Sequence, residues 1–101
     1  MSEITVRELK EKLDKKEDII LIDVREPYEH EEYNIGGRLI PLGELSGKLY
    51  DLEEFKNNEI VVYCRSGNRS GMAQHLMHNF GFENVHNLVG GMEEWKNEFD
   101  A

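Results

Sequence analysis

The side chains best suited to catalysis lie in one short segment around Cys64, the only cysteine in the chain. An apolar run, 60–63, precedes Cys64, and Arg65, Gly67 and Arg69 follow it. If the run is a buried strand and a helix follows the loop, the backbone N–H groups of that loop converge on an anion. Glycine provides the backbone freedom that a tight loop requires, and the two arginines add positive charge. Such surroundings lower the pKa of a thiol and favour the thiolate, which is the nucleophilic form.

The alternative for Cys64 is a structural role, because free cysteine is among the residue types most often buried. The loop, the arginines and the start of a helix favour a reactive thiol instead. With a single cysteine the chain cannot form an internal disulfide, which is typical of a reducing compartment. One cysteine and four scattered histidines also offer no zinc-ligand spacing, so we expect no metal site.

Strands and helices must alternate to position this segment, and the chain has both patterns. Two continuous apolar runs, 19–22 and 60–63, are typical of strands buried on both faces, as in a parallel sheet. Shorter apolar segments predict strands at 39–40 and 85–89. Helices are predicted at 5–13, as a short turn after Pro27, and at 45–55, 70–80 and 92–99. The alternation indicates one α/β domain over residues 1–101 with a mainly parallel sheet.

Two of the predicted helices have clear local signals. Thr5 followed by Glu8 is the pattern of a capping box, which predicts that the first helix begins there. In the helix after the Cys64 loop, Gly81 is the predicted stop. The residues of this helix predicted to face the core are Ala73, Leu76, Met77 and Phe80.

Composition and charge exclude several classes of function. The 101 residues suffice for one domain, and 39% hydrophobic residues argue against disorder. With 12 basic and 21 acidic residues the net charge is −9, which disfavours binding to nucleic acid or to anionic membrane surfaces. No apolar run approaches the roughly 20 residues of a membrane-spanning helix, and the first residues lack the pattern of a secretion signal. We therefore expect a soluble, cytoplasmic protein.

Three segments, in this order, are similar to the signatures of a known family. The first is LIDVREPYE at 21–29, continued by NIGGRLIPL at 34–42; the second is CRSGNR at 64–69; the third is LVGGMEEW at 88–95. Together they resemble a single-domain rhodanese, of the rhodanese-like sulfurtransferase family, over nearly the whole chain. The resemblance implies a small three-layer α/β domain with a mainly parallel central sheet and helices on both faces.

The resemblance also implies a two-step sulfur transfer with Cys64 as the catalytic nucleophile. The thiolate takes the outer sulfur of a donor such as thiosulfate, and a thiol or cyanide then removes that sulfur from the persulfide. The persulfide-binding loop would consist of Arg65, Ser66, Gly67, Asn68 and Arg69. No metal or organic cofactor is required. The implied partners are the small-molecule donor and a thiol acceptor, such as glutathione, thioredoxin or a sulfur-acceptor protein, and we expect a monomer.

Two other functions are weighed against sulfur transfer. The first is a cysteine-dependent phosphatase or arsenate reductase; phosphatases of the same fold family use a cysteine, five residues and an arginine. Here four residues separate Cys64 from Arg69, and the tighter loop suits a single sulfur better than a phosphate ester. Non-catalytic rhodanese-like interaction modules usually lack the cysteine, so its presence favours the enzyme.

Supporting roles are predicted for residues around the loop. Arg69 either binds substrate or braces the loop through a carboxylate, for which Asp23 is the candidate. Arg25 is expected to pair with a nearby glutamate, and Arg65 to face the mouth of the pocket. Ser70 offers its hydroxyl either to the sulfur or as the cap of the following helix. The acidic segment 26–32 is interpreted as a solvated face, with partner docking as the alternative.

Overall fold

The central sheet of the computed structural model, which describes residues 2–100, has five strands in the order β1-β5-β4-β2-β3. The strands are β1 (Ser2–Ile4), β2 (Ile19–Asp23), β3 (Arg38–Leu39), β4 (Glu59–Tyr63) and β5 (Val85–Leu88). Every pair of neighbouring strands is parallel. Because parallel strands all end at the same edge of a sheet, the segments that follow them meet there.

Helices connect the strands. They are α1 (Val6–Asp14), α2 (Pro27–Glu32), α3 (Leu45–Lys48), α4 (Asn68–Asn79) and α5 (Gly91–Phe99), with 3₁₀ turns at Leu42–Glu44 and Leu49–Phe55. The capping box predicted for α1 is present: the Thr5 hydroxyl accepts from Glu8 N, and the Glu8 carboxylate accepts from Thr5 N. Within residues 2–100, no helix is long and apolar enough to span a lipid bilayer.

The sheet is buried on both faces, which gives the three layers expected from the resemblance. Successive residues of a strand point to opposite faces, so each strand supplies two cores. On one face the sheet packs against α3 and α4, in a cluster that includes Ile60, Val62, Leu45, Ala73 and Met77. On the other face it packs against α1 and α5, in a cluster that includes Val61, Tyr63, Leu9, Met92 and Trp95.

Most of the predicted elements are confirmed within a few residues, and two details differ. The strand β1, which pairs with β5, was not predicted, because it has only three residues and no alternating pattern. The prediction that Phe80 faces the core is wrong, since its side chain is 50% exposed. Phe80 follows the last residue of α4, where the helical spacing no longer applies, and the buried aromatic is Phe82.

Candidate active site

The sulfur of Cys64 lies where β4 ends, at the edge of the sheet where the strands terminate. Cys64 is 1% exposed, and its Sγ accepts hydrogen bonds from three donors. Gly67 N lies 3.1 Å away, Ser70 N 3.3 Å and Ser70 Oγ 3.3 Å. The loop therefore curls around the sulfur and directs its donors at one atom.

These donors determine the ionisation of the thiol. Burial alone would raise the pKa of Cys64, because it disfavours the charged form. The three hydrogen bonds from Ser70 and Gly67, with a smaller contribution from the nearby Ser66 N–H, together outweigh burial and lower that pKa below its ordinary value. The arrangement can hold a negative charge on sulfur without a cation in direct contact with it.

Two glycines permit the curl of the loop. Gly67, which precedes α4, has a φ of +107°, a conformation that other residues rarely adopt. Gly91 begins α5 with a φ of +55°, and a Cβ there would overlap the carbonyl groups of Cys64 and Arg65. This close approach lets the first N–H groups of α5 bind the loop: Met92 N donates to Cys64 O and Glu93 N to Arg65 O, both at 2.9 Å.

Ser70 contacts the sulfur directly, and Asn87 contacts Ser70 from behind. Ser70 lies in the first turn of α4 and is fully buried, and its hydroxyl contacts the sulfur instead of capping the helix, which Gly67 precedes. The same hydroxyl lies 2.5 Å from Asn87 Oδ1, and Asn87 Nδ2 donates to Gly67 O at 3.1 Å. Asn87 was not predicted as a site residue, because a lone asparagine on a strand carries no motif.

Arg69 has a carboxylate partner, as one of its two predicted roles requires, but that partner is Glu29 and not Asp23. Arg69 forms a two-pronged ion pair with Glu29 of α2, at 2.8 and 2.9 Å. The Arg69 guanidinium lowers the pKa of Glu29 from its ordinary 4.5 to about 2. Interpreting the whole of 26–32 as a solvated face was therefore wrong for Glu29, which faces the loop.

Asp23 instead lies in a buried charged cluster at the end of β2. Its carboxylate accepts from Arg25 Nε and Nη2 at 3.0 and 2.9 Å and from Arg25 N at 3.0 Å, and it contacts His30 Nδ1 at 2.8 Å. The expected partner of Arg25 was a nearby glutamate. The observed partner is Asp23, two residues away in the sequence. Burial alone would raise the pKa of Asp23, but the hydrogen bonds from Arg25 and His30 lower it overall.

The remaining loop residues lie at the surface. Ser66 and Asn68 are exposed, and the Arg65 side chain, 70% exposed, binds Glu93 of α5 at 3.2 Å. Beside Arg65, a groove of about 310 Å³ separates α2 from α5, and Tyr28, Glu32 and Lys96 are among its lining residues. Among residues 2–100, no group of three or more histidine, cysteine or acidic side chains is placed to hold a metal ion.

A comparison with known protein families gives a match to the rhodanese-like domain over residues 5–98. The chain belongs to the rhodanese-like domain family. The matched range contains the whole of the Cys64 loop and every side chain that contacts it. The resemblance inferred from the three sequence segments is therefore confirmed.

Individual relatives of this rhodanese-like chain agree with the assignment. YrkF of Bacillus subtilis strain 168, a proposed sulfur carrier protein, is 43% identical over 94 residues, which cover 92% of this chain and 50% of YrkF. Thiosulfate sulfurtransferase GlpE of Coxiella burnetii is 38% identical over 84 residues, which cover 81% of this chain and 76% of GlpE. The chain spans half the length of YrkF.

A solved structure supports the fold directly. The crystal structure of a rhodanese-related protein from Thermoplasma volcanium matches this chain with a TM-score of 0.87 at 30% identity. The match covers 98% of this chain and 94% of that protein. The α/β architecture with a parallel central sheet, expected from the sequence, is thereby confirmed.

Proposed function

We propose that this protein is a sulfurtransferase that carries a sulfane sulfur as a persulfide on Cys64. The observation that carries the proposal is the convergence of Gly67 N, Ser70 N and Ser70 Oγ on a buried sulfur. Membership of the rhodanese-like family and the sulfurtransferase named among its relatives support sulfur transfer in general. Thiosulfate as donor is our extension from GlpE to this chain.

In the first step, the Cys64 thiolate attacks the outer sulfur of thiosulfate. A bond forms between Sγ and that sulfur, the S–S bond of thiosulfate breaks, and sulfite leaves with the bonding electron pair. The product is a Cys64 persulfide with a negative terminal sulfur. The N–H groups of the loop stabilise this charge as it develops, in the manner of an oxyanion hole.

In the second step, a nucleophilic acceptor attacks the terminal sulfur. Cyanide serves in the test tube, and a thiol such as glutathione, thioredoxin or a sulfur-acceptor protein serves in the cell. The bond between Sγ and the terminal sulfur breaks, and the thiolate of Cys64 is restored. No metal or organic cofactor takes part in either step.

The other residues of the site position the loop or attract the sulfur donor. We assign the persulfide cradle to residues 65–69 and Ser70, and we assign Arg69 to bracing the loop, because both of its terminal nitrogens are bound by Glu29. Asp23 and Arg25 support the loop from the neighbouring strand. We further propose that one copy of this domain, over residues 1–101, acts as a monomer in the reducing cytoplasm, where a lone thiol persists.

The proposal is tested by intact-mass measurement after incubation with thiosulfate. We expect the wild-type protein to gain the mass of one sulfur atom and to remain monomeric on non-reducing electrophoresis. Cyanide or dithiothreitol should restore the starting mass. Cys64→Ser should gain no sulfur and should lose roughly a thousandfold or more of thiosulfate-to-cyanide transfer, as expected when a nucleophile is removed.

A matched control moves the single thiol to another site. Ser46 is an exposed residue of α3, so the double variant Cys64→Ser with Ser46→Cys has one cysteine outside the loop. We expect this variant to form disulfide-linked dimers and to hold no stable persulfide. A wild-type protein that accumulates disulfide-linked dimers and never gains sulfur would contradict the proposed function.

A further inference from the structure

The hydroxyl of Ser70 lies within hydrogen-bond distance of two acceptors. Its Oγ is 3.3 Å from the sulfur of Cys64 and 2.5 Å from Oδ1 of Asn87. A hydroxyl carries one proton, so it can donate to only one of them at a time. The two acceptors therefore compete for the proton.

The orientation of the Asn87 amide makes this competition unavoidable. Asn87 Nδ2 donates to the carbonyl oxygen of Gly67 at 3.1 Å. Exchanging the oxygen and nitrogen of the amide would place two carbonyl oxygens against each other and leave that bond unmade. Oδ1 therefore faces Ser70, and because Oδ1 carries no hydrogen it can only accept.

The proton of Ser70 must change partner when Cys64 ionises. In the thiol state, the Cys64 S–H can donate to Ser70 Oγ while the Ser70 hydroxyl donates to Asn87. When the thiol proton leaves to water, the sulfur becomes an acceptor only, and the hydroxyl must turn towards it and away from Asn87. We propose that Asn87 is a positioning residue that competes with the Cys64 sulfur for the Ser70 proton and so restrains ionisation of the thiol.

The buried setting makes the competition effective. Ser70 and Cys64 are both at most 1% exposed, so water does not readily replace a lost partner. Asn87 lies on β5, where it pairs in register with Val62 of β4, so its distance from the loop is fixed by the sheet. Its amide also lies against Gly71 of α4, where an added Cβ would come within 3.4 Å of Nδ2.

Most of the charged and titratable groups on the surrounding elements are paired with one another. These pairs are Arg69 with Glu29, Arg65 with Glu93, Asp23 with Arg25 and His30, and His86 with Glu59. Lys96 lies over the ring of Tyr33, and His75 and His78 are on the exposed face of α4. None of the hydrogen bonds described for these groups involves Cys64 Sγ, Ser70 or Asn87. We therefore expect substitutions at Asn87 or Ser70 to leave these ion pairs in place.

The pH dependence of Cys64 alkylation by iodoacetamide tests the proposal, with Asn87→Ala, Ser70→Ala and the double variant compared with wild type. We expect Asn87→Ala to move the midpoint of the profile to lower pH, with about three- to tenfold more thiolate below the midpoint, which is the factor of one hydrogen bond. Ser70→Ala should move the midpoint to higher pH. The double variant should match Ser70→Ala, because Asn87 acts through Ser70.

Two controls keep this result interpretable. Asn97→Ala removes an exposed asparagine of α5 and should leave the profile unchanged. If Asn87→Ala does not unfold cooperatively on heating, Asn87→Ser replaces it. The serine side chain is too short to accept the Ser70 proton in the same way, so we expect the same shift of the alkylation midpoint. An unchanged or higher midpoint for the Asn87 variant, or an equal shift with and without Ser70, would overturn the proposal.

The inference deepens the proposed function, since it concerns the same cysteine, but the two can fail separately. Alkylation reports the thiol alone and involves no sulfur donor or acceptor. If the variants show the predicted alkylation shifts but the wild-type protein never gains sulfur from thiosulfate, the role of Asn87 stands and the proposed function is wrong. If the wild-type protein gains sulfur but the shifts are absent, the proposed function stands and the role of Asn87 is wrong.

Discussion

Two buried groups that can carry negative charge lie at the ends of neighbouring strands, and their surroundings differ. Asp23, at the end of β2, is held by the charged side chain of Arg25 and by His30. Cys64, after β4, is held by backbone N–H groups and a hydroxyl. Burial works against ionisation in both, and in both the hydrogen bonds outweigh it and lower the pKa.

The difference separates a structural anion from a reactive one. A carboxylate bound by an arginine has a counter-ion that fixes its position, which suits a group that need never react. A thiolate held by neutral donors has no ion pair to break when the sulfur forms a new bond. In the proposed transfer, the same donors can then stay in place for the negative persulfide. Under the proposed function, the neutral donors surround the atom that reacts, and the charged pairs around the loop only support it.

The largest effect of a change to this arrangement is expected from Asp23→Asn. The substitution leaves Arg25, which is 4% exposed, without its carboxylate partner. Breaking one partner of a buried pair costs about 3–5 kcal/mol, so the free energy of unfolding measured in urea should fall by that amount. Asp14→Asn is the matched control, because its pair with Lys10 is exposed and should be worth less than about 1 kcal/mol. Equal losses in the two variants would show that Asp23 is not a structural anion.

A smaller effect, dependent on pH, is expected from Glu29→Gln. The pKa of Glu29 is lowered from 4.5 to about 2 by Arg69, so the ion pair contributes stability above pH 4.5 that is lost as the pH falls towards 2. The variant should therefore be less stable than wild type by about 1 kcal/mol at pH 6, after allowance for solvent screening, and the two should converge near pH 2. Urea unfolding at several pH values measures the difference. Glu31→Gln, an exposed change on the same helix, should not reproduce it.

The smallest effect is expected from Arg65→Ala. Arg65 is exposed and paired with Glu93, so its pull on a dianionic donor is weak and screened by salt. We expect the KM for thiosulfate to rise about twofold to threefold and to depend less on ionic strength. The midpoint of Cys64 alkylation should not move, because neutral donors hold the thiolate. Arg7→Ala removes an equivalent charge paired with Glu98, at the far end of α5, and should change neither quantity. A large shift in the alkylation midpoint for Arg65→Ala would mean that charge holds the sulfur after all.

The fold was predictable from the sequence where local patterns determine it. The capping box at Thr5 and Glu8 defines the start of α1 without reference to the rest of the chain. The continuous apolar runs at 19–22 and 60–63 indicated strands covered on both sides. Strand β1 was missed because its only signal is pairing with β5, near the other end of the chain.

The position of Cys64 and its loop, where a buried strand ends and a helix begins, was predictable from the sequence, but the side-chain partners of the loop were not. Several acidic residues lie near the arginines in the sequence, and which of them meet depends on how α2 packs against the loop. In the structure, that packing pairs Arg69 with Glu29, and Asp23 pairs with Arg25. The contact of Asn87 with the loop likewise follows from the register of β4 and β5, which no local pattern specifies.

The hold of α5 on the loop has a consequence for biosynthesis. The N–H groups of Met92 and Glu93 bind the carbonyl oxygens of Cys64 and Arg65, so a late segment of the chain shapes an earlier one. Because synthesis runs from the N-terminus, Cys64 and its loop leave the ribosome before the residues of α5 that hold the loop in place. Until α5 docks, these two hydrogen bonds to the loop are absent. Under the proposed function, we therefore expect full reactivity towards sulfur donors only after α5 has docked, and less of it in a chain stalled before residue 91.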